Sequence, residues 1–163
     1  MLIAVISDTH LPRGGRRLPE ACVERIAGAD LLLHAGDFST LAVLRELEAI
    51  GPPVAGVHGN VDSADVRRLL PEERVVEAGG ARIGMVHDAG PRAGRLDRMR
   101  RHFGDRADLV VFGHSHMPLH ERAPDGFQIL NPGSPTERRR APNHTMGLIR
   151  VEDGSPTCEL ISV

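Results

Sequence analysis

Three short runs, Leu2–Ile6, Asp30–His34 and Val54–His58, are apolar without alternation, which suits strands buried on both faces. Arg17–Ala27 lies between the first two, with Leu18, Cys22, Val23 and Ile26 at helical spacing and Gly28 as a stop. A second helical pattern, Leu41–Ile50, starts behind Ser39 as N-cap and ends at Gly51-Pro52. Strand, helix, strand, helix, strand in that order predicts a parallel sheet with right-handed crossovers. The later chain reads differently. Val75–Glu77 and Arg82–His87 flank Gly79-Gly80, a hairpin signal. An Arg-rich amphipathic helix follows at Gly94–Phe103, and then a buried strand at Asp108–Phe112. Two more hairpins, Pro118–Arg122 with Phe127–Leu130 and Met146–Val151 with Thr157–Val163, turn at Asp125-Gly126 and Asp153-Gly154. The pattern thus implies an α/β half and a mainly antiparallel half, packed as two sheets with helices outside. One domain spanning residues 1–163 is expected, since no repeat or linker divides the chain.

Composition narrows the function classes. Hydrophobic residues make up 40% and charged residues 26%, the balance of a globular domain. Aromatics are scarce at 2%, with no Trp or Tyr, which argues against the base-stacking platforms of single-strand binders. The formal net charge is −2, which supplies no field to hold nucleic acid or an anionic membrane. All 20 basic residues are Arg, with clusters among them at Arg16–Arg17, Arg92 to Arg101 and Arg138–Arg140. Solvated faces are the simplest reading of these clusters, with phosphate contact by Arg138–Arg140 the alternative. Cys22 and Cys158 form no framework, and no leader or membrane-length apolar run is present, which implies reduced thiols and a cytoplasmic protein. A homo-oligomer stays open.

The chemistry sits at the strand ends. The first strand runs into Asp8-Thr9-His10, the second into Gly36-Asp37 and the third into Gly59-Asn60. The hairpin strand ends at His87, and the strand before Gly113 runs into His114-Ser115-His116. Loops at strand carboxyl ends converge on ligands in open α/β sheets. Asp8, His10, Asp37, Asn60, His87, His114 and His116 therefore form a candidate ligand set. Imidazole mixed with carboxylate suits Mn, Fe, Zn or Ni, and seven donors suit two ions sharing a bridging carboxylate, Asp37 or Asp8. The glycines before Asp37, Asn60 and His114 would let the backbone turn sharply.

The ordered set D-x-H, G-D, G-N, H, G-H-x-H resembles the calcineurin-like metallophosphoesterases, which have a four-layer α/β-β/α sandwich of two mixed sheets flanked by helices. Compact size, Gly59-Asn60-Val61-Asp62 and Asn131-Pro132-Gly133-Ser134 make the chain similar to the small bacterial and archaeal phosphodiesterases related to the retromer subunit Vps29. The resemblance implies two divalent ions, with Mn expected first. It assigns Asp8, His10 and His116 to one and Asn60, His87 and His114 to the other, with Asp37 between. It implies attack on a small phosphate ester by a metal-bound hydroxide, with Asp37, Asn60 and His114 at the catalytic centre. The alternative is a protein-binding scaffold of the Vps29 type. A scaffold would tolerate lost ligands, and this chain has every expected one.

Two positions depart from the pattern. Many relatives carry a leaving-group histidine where this chain has Val61, so activated diesters should turn over best. Asp88 stands where relatives often have Gly and is expected to face solvent. His34 and His58 precede ligand positions closely, so support of a ligand and a purely structural role are both open. His102, His120 and His144 fall outside the motifs, and the Asn131–Ser134 segment reads as a turn.

Overall fold

The computed structural model describes all 163 residues. Strands β1 (Leu2–Ile6), β2 (Leu31–His34) and β3 (Val54–Gly56) alternate with helices α1 (Glu20–Ala27) and α2 (Leu41–Glu48). A short α3 (Ala64–Leu69) leads to β4 (Glu73–Ala78) and β5 (Ala81–Val86), then α4 (Arg95–Phe103) and β6 (Leu109–Val111). The chain closes with β7 (Leu119–Arg122), β8 (Gln128–Asn131), β9 (Thr145–Glu152) and β10 (Ser155–Ser162). Two five-stranded mixed sheets result, ordered β10-β9-β1-β2-β3 and β4-β5-β6-β8-β7.

Period-two geometry explains how one strand serves two cores. Ile3 and Val5 of β1 face the other sheet, where they pack with Ile83, Met85, Leu109 and Val111. Ala4 and Ile6 face outward onto Cys22 and Ile26 of α1 and Leu44 and Leu47 of α2. The second sheet turns Val110 and Ile129 outward onto Met99 and Phe103 of α4. Helices, sheet, sheet and helix therefore stack as four layers. At Gly84 on β5 an added Cβ would lie 2.6 Å from the Phe103 ring, so glycine sets how closely α4 approaches.

The expected split into a parallel half and a mainly antiparallel half is corrected in two respects. β9 and β10 return to the first sheet, antiparallel to β1, and the second sheet pairs β5 with β6 and β6 with β8 in parallel. The physical reason is α4: a helical crossover between β5 and β6 brings the chain back in the same direction. Three local expectations also shift. Helix α1 begins at Glu20, because Pro19 holds Leu18 out of helical geometry. Thr40, not Ser39, is the N-cap of α2. Helix α3 was not expected, although Ser63 caps it by accepting from Val66 N at 3.5 Å, and Asp65 and Arg67–Arg68 sit at favourable ends.

Candidate metal centre

The two sheets deliver their strand ends to one place. Asp8 and His10 follow β1, Asp37 follows β2, and Asn60 follows β3, all in the first sheet; His87 follows β5, and His114 and His116 follow β6, in the second. All seven expected side chains meet there. His10 Nε2 lies 3.2 Å from His116 Nε2, 4.0 Å from Asp8 Oδ1 and 3.7 Å from Asp37 Oδ2. His116 Nε2 is 3.4 Å from Asp8 Oδ1. On the other side His87 Nε2 lies 3.3 Å from Asp37 Oδ2 and 3.1 Å from Asn60 Oδ1, which is 3.0 Å from His114 Nδ1. Asp37 Oδ2 lies within 4 Å of a histidine of each group. Its other oxygen accepts from Val61 N at 3.0 Å, which leaves Oδ2 free to face both groups, while Asp8 also lies within reach of both.

The backbone is bent to achieve this. Asp8, His10, Asp37, His114 and His116 all have positive φ, between 47° and 66°. Left-handed geometry in residues with a Cβ stores strain, and it persists where surrounding contacts over-determine it. The preceding glycines have a different task from the one expected. Only Gly36 has positive φ; at Gly59 and Gly113 a Cβ would fall 2.1 Å from Asp37 Oδ1 and 1.9 Å from Ser7 Oγ. Glycine is needed there for close approach, while the sharp turn falls on the ligand-type residues themselves.

Supporting hydrogen bonds fix the rings. His87 Nδ1 donates to Ala35 O at 2.7 Å, and His116 Nδ1 donates to Glu137 O, so each turns its Nε2 toward the cluster. His34 is resolved as a positioning residue: Gly36 N donates to its Nδ1, which leaves Nε2–H to donate to Thr9 Oγ1 at 3.1 Å. Asp62 accepts from Asp37 N, Gly59 N and Ser39 N at 3.1, 2.7 and 2.7 Å, tying the β2 and β3 loops together. The Asn131–Ser134 segment does more than turn. Ser134 Oγ donates to Asp8 O at 2.8 Å, and Asn131 Nδ2 donates to Gly113 O at 2.8 Å. Thr136 Oγ1 donates to Thr9 O, and Glu137 Oε2 approaches His10 Nε2 to 3.6 Å; no spacing in the sequence pointed to these two. Arg138 bonds its own loop at Ala141 O, while Arg139 reaches His114 O at 3.5 Å on the site's rim. Asp88 is exposed and caps Gly90 N, as a solvent-facing residue would. His102 pairs with Glu73 and His120 with Gln128, away from the cluster.

The electrostatics fit a cation. Burial lowers His10, lowers His116 to about 4 and lowers His34 to about 3, so these rings are neutral near pH 7. With its Nδ1–H committed to Glu137 O, His116 accepts at Nε2 from His10 Nε2–H at 3.2 Å, beside Asp8. Burial also raises Asp8 to about 7, outweighing the charge of His87 and the Ser7 hydrogen bond, which lower it. Burial would raise Asp37 too, but the hydrogen bond and charge of His87, with the Val61 N–H, bring it to about 2. Burial pushes His87 down, yet Asp37 and Asp8 outweigh it and its pKa is raised. A proton on His87 thus does part of the work that a metal ion would do. Asp8 with His10 and His116, and Asp8 with Asp37 and His87, are both compact enough to hold an ion.

The calcineurin-like phosphoesterase superfamily domain matches residues 1–154. The chain belongs to that superfamily. It is 35% identical over 163 residues to a probable metallophosphoesterase of Methanothermobacter thermautotrophicus, covering 99% of this chain and 92% of the relative. It is 25% identical over 146 residues to a phosphodiesterase of Methanocaldococcus jannaschii, covering 82% and 83%. Its fold is that of Vps29 from Chaetomium thermophilum, with a TM-score of 0.79 at 21% identity, covering 100% of this chain and 97% of that one. No helix is long and apolar enough to cross a membrane.

Two outcomes follow from the geometry. Asp62→Ala leaves three backbone N–H groups without their acceptor and should cost about 3 kcal/mol in urea unfolding; a cost under about 0.5 kcal/mol would show that Asp62 does not hold the loops. Manganese binding requires deprotonated Asp8 and neutral His87, so apparent affinity should rise with pH through about 7 and go on rising until His87 has lost its proton. Calorimetry at pH 6 in buffers of differing ionisation enthalpy should detect released protons, and binding without proton release would contradict the assigned charges.

Proposed function

We propose that the chain is a dinuclear, metal-dependent phosphodiesterase. The observation that carries this reading is Asp37 Oδ2 standing between two sets of donors, 3.7 Å from His10 Nε2 and 3.3 Å from His87 Nε2. Asp8, His10 and His116 would hold one ion, Asn60, His87 and His114 the other, and Asp37 both. Manganese is the first choice, with iron, zinc or nickel also compatible with nitrogen and oxygen donors. Ions held there would act as Lewis acids and lower the pKa of bound water to roughly 7.

The chain's own residues divide the remaining tasks. Asp8, His10, Asp37, His87 and His116 are buried and exclude water from the floor, whereas Asn60 and His114 are exposed and face an incoming ester. Two carboxylates against two divalent ions leave the centre cationic, which attracts a phosphate anion. The Val61 side chain offers no proton to a departing alkoxide, so aryl esters, whose phenolates leave unassisted, suit the site better than alkyl esters. The phosphodiesterase named among the relatives supports the choice of diesters.

Hydrolysis of bis(p-nitrophenyl) phosphate should appear with manganese, stop on chelation and return on metal addition. Asp37→Ala should reduce it to background with the circular dichroism spectrum retained. A wild-type rate in that variant would exclude the bridge, and no turnover with Mn, Ni, Zn or Fe would leave the protein-binding scaffold as the reading.

A further inference from the structure

A cavity of about 370 Å³ opens beside His10. Leu11, Pro12 and Val61 form an apolar side, while Ser39, Thr40 and Arg13 supply donors. Val61 leaves 46% of its surface exposed, one of four large hydrophobic side chains so placed in the chain. It directly follows Asn60, so its exposure falls at the site rather than on a remote face. The donors are uncommitted. Ser39 is held at φ 90° by Asp62 and by its carbonyl's bond from Ser63 N, a strained backbone that presents a side chain with no internal hydrogen bond. Thr40 occupies the N-cap of α2 yet makes no capping bond through its hydroxyl. Arg13 makes no ion pair.

The cavity beside Asn60 and His87, about 250 Å³, differs in its ionisable lining, which places His58, Arg67, Glu72 and Asp88 beside Val86. A phosphodiester has two arms, and the two flanks of this centre would treat them differently. We propose that the cavity beside His10 is a selectivity subsite for one substrate arm, taking an apolar arm that ends in an anionic group. Leu11, Pro12 and Val61 would cover the body of the arm, and Arg13 with the Ser39 and Thr40 hydroxyls would receive its charged tip. This rests on the phosphodiesterase reading above and deepens it by naming the substrate class.

The probes are phenyl, 4-carboxyphenyl and methyl phosphate, each titrated into manganese-loaded protein by calorimetry, which reads the subsite whether or not turnover occurs. The wild type should bind 4-carboxyphenyl phosphate most tightly and methyl phosphate least. Arg13→Ala should weaken 4-carboxyphenyl phosphate relative to phenyl phosphate by about threefold, the scale of one exposed charge contact. Val61→Ser should weaken both aryl phosphates relative to methyl phosphate by about threefold, through lost apolar contact. Ratios unmoved by both substitutions, or equal weakening of all three phosphates, overturn the subsite. Failure of diester hydrolysis counts against the proposed function alone, since these affinities are read without it.

Discussion

Lone pairs that face one another inside a protein repel unless something positive lies between them. Around Asp37 the chain brings together two carboxylates and three buried imidazoles at 3.2–4.0 Å, with no lysine or arginine inserted. Everything else in the structure serves to hold that arrangement. Both sheets contribute strand ends to it, five of the seven residues adopt left-handed backbone, and two glycines exist because a methyl group would collide with their neighbours. In the metal-free protein, protons on Asp8 and His87 relieve part of the repulsion. A pair of divalent ions would relieve it more fully, and loading them would also stabilise the fold by mass action.

The fold class and the strand-end positions of the candidate ligands were both legible in the sequence, and the sheet pairing of the later strands was not. Each of the seven residues follows a strand that its apolar run already marked, so the positions of Asp8, Asp37 and His114 could be placed without coordinates. Most element boundaries fell within two residues for the same reason: β1 and β2 are dense aliphatic runs between strong breakers. What escaped depends on contacts between distant segments. The return of β9 to β1 is a pairing across more than a hundred residues, and nothing local in Thr145–Glu152 specifies that partner. Helix α3 is six residues long, too short for periodicity to declare it, although its Ser63 cap was a usable signal.

The support of the site shows the same division. Asp62 sits in a motif position, and Ser134 lies in a loop recognisable by its Pro and Gly, but neither reveals in sequence which backbone groups it will bind. His34 could be read either way until its ring was seen between Gly36 N and Thr9 Oγ1. Glu137 had no signal at all, because its proximity to His10 is created by the Ser134 turn. Ligand-type residues follow from chemistry and position, whereas the groups that hold them follow from tertiary contact.

The central proposal is that these donors trap two ions sharing Asp37 Oδ2. Anomalous diffraction from crystals grown with manganese tests it most directly. Two peaks about 3.5–4 Å apart are expected, one among Asp8, His10 and His116 and one among Asn60, His87 and His114, with Asp37 Oδ2 between them. A single peak, or none at these loops, would contradict it.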